Sequence, residues 1–350
     1  MSGGQGRRLN TMQATGQTAL LEEVQLTARR IFDLISPELK LVEEEFERQA
    51  RSNIQVIAYI GEHLRRSGGK RVRPALTILS DYAVGGDGSN ESAIRMATVM
   101  EFLHTATLVH DDVIDKAETR RNRPSINSEF GNQTAVLMGD WLYMSAFETS
   151  LAERSLPILD ILTAVTRKMT EGELLQLTLL GRTDISEEQY FDVIARKTAY
   201  LFSACCEIGS LLGGADPKAQ MMLRDYGMNL GIAFQLVADL LDATSSEDIL
   251  GKPAGADLLE GKLSLPMIFL LQREPRWRAE AQRVIAESSY ENVSRESLLR
   301  ALEETGALGL AQERAIEYAE AARGALDGLN DSSYAQALSA IPSYIVERDR

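Results

Sequence analysis

The run Leu108-Val109-His110-Asp111-Asp112-Val113-Ile114-Asp115 delivers three carboxylates within five residues at the end of an apolar stretch from Ile94 to Val109. On a helix, Asp111 and Asp115 lie one turn apart on one face, with Asp112 beside them. Ionised acids in that position repel one another and lose hydration, so a cation must offset the cost. Hard divalent ions take oxygen ligands of this kind. The alternative is a solvated helix C-terminus, although acids at that end oppose a helix dipole that favours cations. A second stretch repeats the design. Ala238-Asp239-Leu240-Leu241-Asp242 ends an apolar helix that starts at Gly231, and Asp239 and Asp242 share a face. Two such helices facing each other across a cavity build a multi-metal site of the kind used on phosphates. Taken alone, Asp239 and Asp242 read equally well as solvated or lysine-paired acids.

Three basic clusters accompany these acids. Lys70, Arg71 and Arg73 follow Gly68-Gly69, Arg120-Arg121 follows Asp115, and Lys252 and Lys262 flank the loop after Asp242, with Lys197 upstream. Glycines let the backbone approach a ligand closely, and Arg forks suit bidentate phosphate contacts while Lys acts as a point charge. Each of these residues singly reads as ordinary surface. Their clustering beside acid motifs, in a chain of net charge −14, points to a ligand carrying diphosphate. His104 is placed to donate to a phosphate or to be a satisfied core histidine, and His110 reads as packed beside the acids. Nucleophile elbows, Walker-type loops and dinucleotide fingerprints are absent from the sequence.

Helical periodicity must position these groups, because alternating strand-like runs are nearly missing. Helices are expected over Leu20–Ile35, to about Arg51, over Ile54–Arg66 and Ala75–Val84, then to Asp115. A charged connection runs through Asn127, followed by helices over 133–153, 156–180, 186–213 and 217–243, over Leu263–Gln272, and in four shorter segments. Residues 1–18 read as a flexible N-terminal arm and 19–350 as one all-helical domain, since no Pro-, Gly- or Ser-rich linker divides the chain. The 44% apolar and 25% charged content is that of a globular protein, and the acidic balance argues against general nucleic-acid binding. Cys205 and Cys206 are adjacent, which leaves no disulfide framework and fits a reducing cytoplasm. No apolar run reaches the roughly 18 residues of a membrane span, so stable membrane insertion is not expected.

From about Gly68 to Pro266 these residues resemble the trans-isoprenyl diphosphate synthases, or polyprenyl synthetases. Asp111-Asp112-Val113-Ile114-Asp115 with Arg120-Arg121 looks like the family's first aspartate-rich motif, and Phe234-Gln235 with Asp239 to Asp242 like the second. Gly139-Asp140 and Gly172-Glu173 with Gln176 also fit. The resemblance implies an isoprenoid synthase fold of long, mostly antiparallel helices around a deep central cavity, and a homodimer. It assigns isopentenyl diphosphate to Gly69, Lys70, Arg73, His104 and Arg121, and the allylic diphosphate to Arg120, Lys197, Thr198, Gln235, Lys252 and Lys262. It implies up to three Mg2+ ions on Asp111, Asp112, Asp115, Asp239 and Asp242. Catalysis then falls to Asp111, Asp112, Asp115, Arg120, Lys197 and Lys262, which with the metal neutralise the leaving diphosphate while the double bond of isopentenyl diphosphate attacks the allylic cation. Two departures stand out. Ala238 occupies the first acid of the second motif, a direct magnesium ligand in the family, which implies altered metal binding at the third ion. Asn122 replaces the usual Gly after the arginine pair.

Product length is expected to follow cavity depth. Ala106 and Thr107, one turn before Asp111, are small, whereas a bulky aromatic there would stop the growing chain. Trp141, Tyr143, Met144 and Phe147 on the next helix are candidates for a lower floor or for plain core packing. A product longer than farnesyl diphosphate follows. The rival readings are a class I terpene cyclase, which would lack the Gly68-to-Pro74 site, and a non-catalytic or regulatory subunit of a two-component synthase, which Ala238 keeps open.

Overall fold

A computed structural model describes residues 29–66, 69–120, 123–245 and 255–347, and within them nearly all regular structure is helical. The arm expected over 1–18, and the residues Gly68, Arg121, Asn122 and Lys252, lie outside the described residues. Helix α1 (Ser36–Gln49), α2 (Gln55–Arg66) and α3 (Val72–Ala83) lead to α4 (Glu91–Ile114), the central helix. Asn90 caps α4, its side chain accepting from the Ala93 backbone N–H at 2.8 Å. Most of α4 is apolar on every face, as a helix enclosed by neighbours requires. Met96, Val99, Met100, Phe102 and Leu103 are fully or almost fully buried against α3, α6 (Asn132–Ser150) and α9 (Tyr200–Leu212).

The charged connection after α4 is more ordered than its sequence suggests. It holds a two-stranded antiparallel hairpin, β1 (Thr119–Arg120) and β2 (Arg123–Pro124), with Thr119 opposite Pro124. A short helix α5 (Ile126–Phe130) then leads to α6. Next come α7 (Leu156–Leu179) and α8 (Glu187–Ile194), the latter opened by a Ser186/Gln189 capping box. The single helix expected over 186–213 is interrupted by a π-helical turn at Ala195–Ala199 before α9 resumes.

Helix α10 (Pro217–Thr244) is the second long axis of the fold. Asp216 caps it and Pro217 starts it with a pre-set φ. It packs on α9 and on α15 (Ala307–Ala325), whose buried stripe Ala307, Ala311, Ala315, Ala319 and Ala322 allows close approach. Between them lie α11 (Ala256–Leu259), α12 (Leu265–Arg273), α13 (Trp277–Glu287) and α14 (Arg295–Glu304), and α16 (Ser333–Val346) closes the chain. One connected cluster of buried side chains runs from Ile31 to Ile345. Among the described residues no helix is long and apolar enough to cross a membrane.

Candidate active site

The C-terminal halves of α4 and α10 line a cavity of about 880 Å³. Asp111 and Asp115 face it from α4, and Asp115 is the helix's C-terminal cap, its N–H donating to the Asp111 carbonyl at 2.8 Å. Asp112 turns to another side of the helix, as the 100° advance per residue dictates. It is buried and accepts from Arg120 Nε at 2.7 Å, beside a separate hollow of about 50 Å³. Asp112 and Arg120 were expected within the main site; the structure instead pairs them with each other behind its wall.

Across the cavity, Gln235 and Asp239 project from α10. Asp239 accepts from Tyr190 OH at 2.7 Å and from Gln235 Nε2 at 2.8 Å, while Thr198 Oγ1 donates to Gln235 Oε1 at 2.9 Å. Asp242, expected to hold metal, is not among the lining residues. It is buried, and it anchors the incoming chain: its carbonyl accepts from Gly255 N–H at 2.9 Å and its carboxylate from Asp257 N–H at 3.3 Å. That anchor brings Asp257 to the cavity wall, an acid that sequence reasoning missed. Tyr290 and Arg295 were also missed. Tyr290 OH donates to the Gly255 carbonyl at 2.8 Å, and Arg295 donates to the carbonyls of Ala243 and Ser245 at 2.9 Å each, bracing the flanks of the segment between α10 and α11.

Of the expected cations that are described, Lys70, Arg73, Lys197 and Lys262 line the cavity and Arg120 does not. Lys197 and Thr198 lie on the π-helical turn, which is packed so tightly on α7 that a Cβ at Gly172 would stand 2.7 Å from Arg196 Cβ and 3.1 Å from Lys197 N. Such turns recur at functional sites because they re-aim adjacent side chains. Lys197 Nζ lies 2.7 Å from Glu173 and 3.1 Å from Gln176. Lys262 Nζ reaches Asp115 at 2.8 Å and Glu260 at 2.7 Å. Gly69, Lys70, Arg73 and His104 line the same cavity, Arg73 lying 4.9 Å from the centre of the Phe202 ring. His110 packs against Gly139, where a Cβ would stand 2.2 Å from its Nε2.

The chain-length candidates divide. Thr107 lines the cavity, but Ala106 is fully buried in the core and does not. None of Trp141, Tyr143 and Met144 lines it either. Trp141 is half-buried against the core, Tyr143 lies 5.8 Å from the His110 ring, and Met144 is 62% exposed on the outer face of α6.

Electrostatically the site is acid-loaded. Desolvation pushes Asp111 up to about 7, with Glu173 and Asp115 adding to the rise and Lys197 and Arg120 opposing it. Asp239 also rises to about 7, through burial and the Asp257 charge, against the hydrogen bonds from Tyr190 and Gln235. Burial alone would lower Lys262, yet Asp115 and Glu260 raise it above its usual value. Among the described residues no three metal-ligating side chains converge closely enough to cage an ion unaided. Magnesium seldom needs such a cage, because it is held by one or two carboxylates and completed by substrate phosphates. Carboxylates on facing walls with raised pKa values are a donor set that fits it.

The comparisons agree with this geometry. The Polyprenyl synthetase family model matches residues 54–302. The chain is 36% identical over 325 residues to the octaprenyl diphosphate synthase of Escherichia coli K12, covering 93% of this chain and all of that protein. It is 37% identical to the all-trans-nonaprenyl-diphosphate synthase (geranyl-diphosphate specific) of Rhodobacter capsulatus, over 85% of this chain and 90% of that one. Among solved structures, it superposes with a TM-score of 0.87 at 34% identity on a polyprenyl synthase from Caulobacter crescentus CB15 complexed with calcium and isoprenyl diphosphate, covering 92% of this chain and 98% of that one. A decaprenyl diphosphate synthase from Rhodobacter capsulatus gives 0.86 at 35% identity, over 92% and 99%. The chain belongs to the polyprenyl synthetase family, and with its all-α isoprenoid synthase fold it is a prenyltransferase, an isoprenyl diphosphate synthase.

Proposed function

We propose that this enzyme extends an allylic diphosphate with isopentenyl diphosphate to an all-trans polyprenyl diphosphate longer than C15. The observation that carries the reading is one cavity lined by two sets of phosphate-binding side chains. Lys262 pairs with Asp115, Lys197 acts on the Asp111 charge, and Thr198 and Gln235 link to Asp239, while Lys70, Arg73 and His104 line the same cavity. Two diphosphates bound in one cavity need two such sets. The first set receives the allylic substrate and the second isopentenyl diphosphate.

Asp111, Asp115 and Asp239, with Asp257 close to Asp239, would hold magnesium, which would supply Lewis-acid neutralisation of the leaving diphosphate. Lys197 and Lys262 share that charge from fixed positions in a partly desolvated wall, where such contacts are strongest. Leu108, Leu179, Ile194 and Phe234 line the same space and exclude water from the allylic cation. Thr107, small on the cavity wall, leaves room for a growing chain. A homodimer belongs to the same reading. Helices α6 and α7 leave Leu137, Met144, Leu156 and Leu174 between 60% and 73% exposed, an apolar surface suited to a second copy. A cytoplasmic setting agrees with the two free, fully buried thiols Cys205 and Cys206.

Purified enzyme with labelled isopentenyl diphosphate, farnesyl diphosphate and Mg2+ tests the reading, with products separated by chain length. Polyprenyl products of C20 or longer are expected. Arrest at C15 would refute the length assignment. No turnover without a second chain type would favour the subunit reading, for which Ala238 is the one specific observation.

A further inference from the structure

Arg71 stands between Lys70 and Arg73 and borders the same cavity, yet its guanidinium is engaged by two carboxylates. Its backbone is left-handed, with φ of 47° at the residue that opens α3, a conformation few long side chains adopt. Its guanidinium bridges two helices. Nε and Nη2 donate to Glu43 of α1, the latter at 3.2 Å, and Nη1 donates to Glu101 of α4 at 2.5 Å. Glu101 is 6% exposed, and an acid so buried needs a charged partner. Three of the five N–H donors of Arg71, including the Nε/Nη2 fork, are engaged by the two carboxylates. Glu101 also lies three residues before His104 on α4, so the two share a face, and Arg71, Glu101 and His104 all border the cavity.

We propose that Arg71, Glu43 and Glu101 form a positioning clamp for the isopentenyl diphosphate residues of the site, and that Arg71 is not itself a phosphate ligand. The clamp holds Arg71 in its left-handed conformation at the head of α3. It thereby fixes Lys70 and Arg73 relative to His104 and neutralises a buried glutamate that would otherwise repel the diphosphate. This rests on the assignment of isopentenyl diphosphate to Lys70, Arg73 and His104.

Steady-state kinetics on the full-length enzyme, with isopentenyl and farnesyl diphosphates varied separately, test it. Arg71→Gly relaxes the backbone while removing the clamp. It is expected to raise KM for isopentenyl diphosphate about tenfold, with KM for farnesyl diphosphate and kcat changed less than about threefold. Glu101→Gln should do the same, and Arg71→Lys should recover only part because it cannot bridge two carboxylates bidentately. If Glu101→Gln fails to fold, Glu43→Gln carries the test, since Glu43 is 38% exposed and its loss should leave the fold intact. Wild-type kinetics for Arg71→Gly, or equal rises in both KM values, would overturn the clamp. So would a loss at Arg71 with both glutamate variants silent, which would make Arg71 a direct phosphate ligand. Unchanged KM for isopentenyl diphosphate in Lys70→Ala and Arg73→Ala would instead overturn the substrate assignment, and with it the clamp's stated role.

Discussion

Lys262 Nζ lies 2.8 Å from Asp115 Oδ2, joining a cation expected to grip diphosphate to an acid expected to hold metal. The same economy recurs at Arg120 with Asp112 and at Lys197 with Glu173. If the proposed roles hold, a metal diphosphate would exchange these partners, the carboxylate turning to metal and the lysine to phosphate, so that neither is left unpaired in a desolvated wall. Lys262→Ala is expected to cut kcat by roughly 10²–10³, the range for losing one donor aimed at developing charge. Asp115→Asn should cost a similar amount, and the double variant should lose less than the product of the two, because the residues act as a unit. Single-turnover rates at saturating Mg2+ measure this coupling.

Asp111 and Asp239 give the free protein a specific pH response. Their folded values near 7 exceed the 3.8 of an unperturbed aspartate, so between those pH values the folded state binds more protons than the unfolded chain. Stability contributed by these groups is therefore greatest at low pH. It falls as pH rises toward about 7 and is flat above. Thermal melts of metal-free protein from pH 5 to 8 should show this decline in Tm. Mg2+ with inorganic diphosphate should flatten it, because the ligand favours the ionised carboxylates, and Asp239→Asn should remove part of it.

Asp81 provides a control remote from the cavity. It is fully buried in α3, neither carboxylate oxygen has a hydrogen-bond partner among the described residues, and burial with the Asp87 charge raises it to about 6. Asp81→Asn is expected to stabilise the protein by about 1–2 kcal/mol at pH 8, the scale of burying a poorly satisfied polar group. The gain should shrink as pH falls through 6 and vanish near 4. Activity should be unchanged, and chemical denaturation at the two pH extremes reads the difference.

Much of this architecture is legible in the chain because strong local signals coincide with the apolar period. The helices expected over 156–180 and 217–243 are found at Leu156–Leu179 and Pro217–Thr244, where Ser155 and Asp216 cap and prolines start them. Helical spacing alone put Asp111 and Asp115 on one face. What stayed hidden depends on tertiary partners. Asp112 faces Arg120 because the hairpin folds back behind α4, and Asp242 serves as an anchor because the chain returns at Gly255. Asp257 lies in a short stretch between two glycines, with Glu260 three residues on, and nothing in that spacing says which acid meets the cavity. The outward position of Met144 was hidden because α6 is apolar on both its inner and outer faces, so its pattern does not say which face meets the core.

The half-buried Ala238, beside Asp239 on α10, makes the metal demand of this enzyme a measurable trait. Ala238→Asp adds a third acid next to one already raised to about 7. Without metal, like-charge repulsion should lower Tm at pH 8. With metal, the added oxygen ligand should lower the Mg2+ concentration for half-maximal rate by about tenfold, the scale of an ordinary coupling free energy. Opposite signs in the two conditions identify a ligand gained; a loss in both would mean that position 238 faces away from the ion.

Thr107 and Ala106 separate control of product length from core packing, although the two are adjacent on α4. Thr107 lines the cavity, so Thr107→Phe should project a ring into the space a growing chain occupies and shift products toward C15 and shorter, with the first condensation nearly unimpaired. Ala106 is fully enclosed. Ala106→Phe forces extra volume into a packed core and should cost about 1–3 kcal/mol or more before any effect on length appears. Product chromatography and thermal melts on the two variants, run side by side, test the division. Shortened products from Ala106→Phe with wild-type stability would show that the elongation path also passes the Ala106 face of α4, which the cavity does not reach.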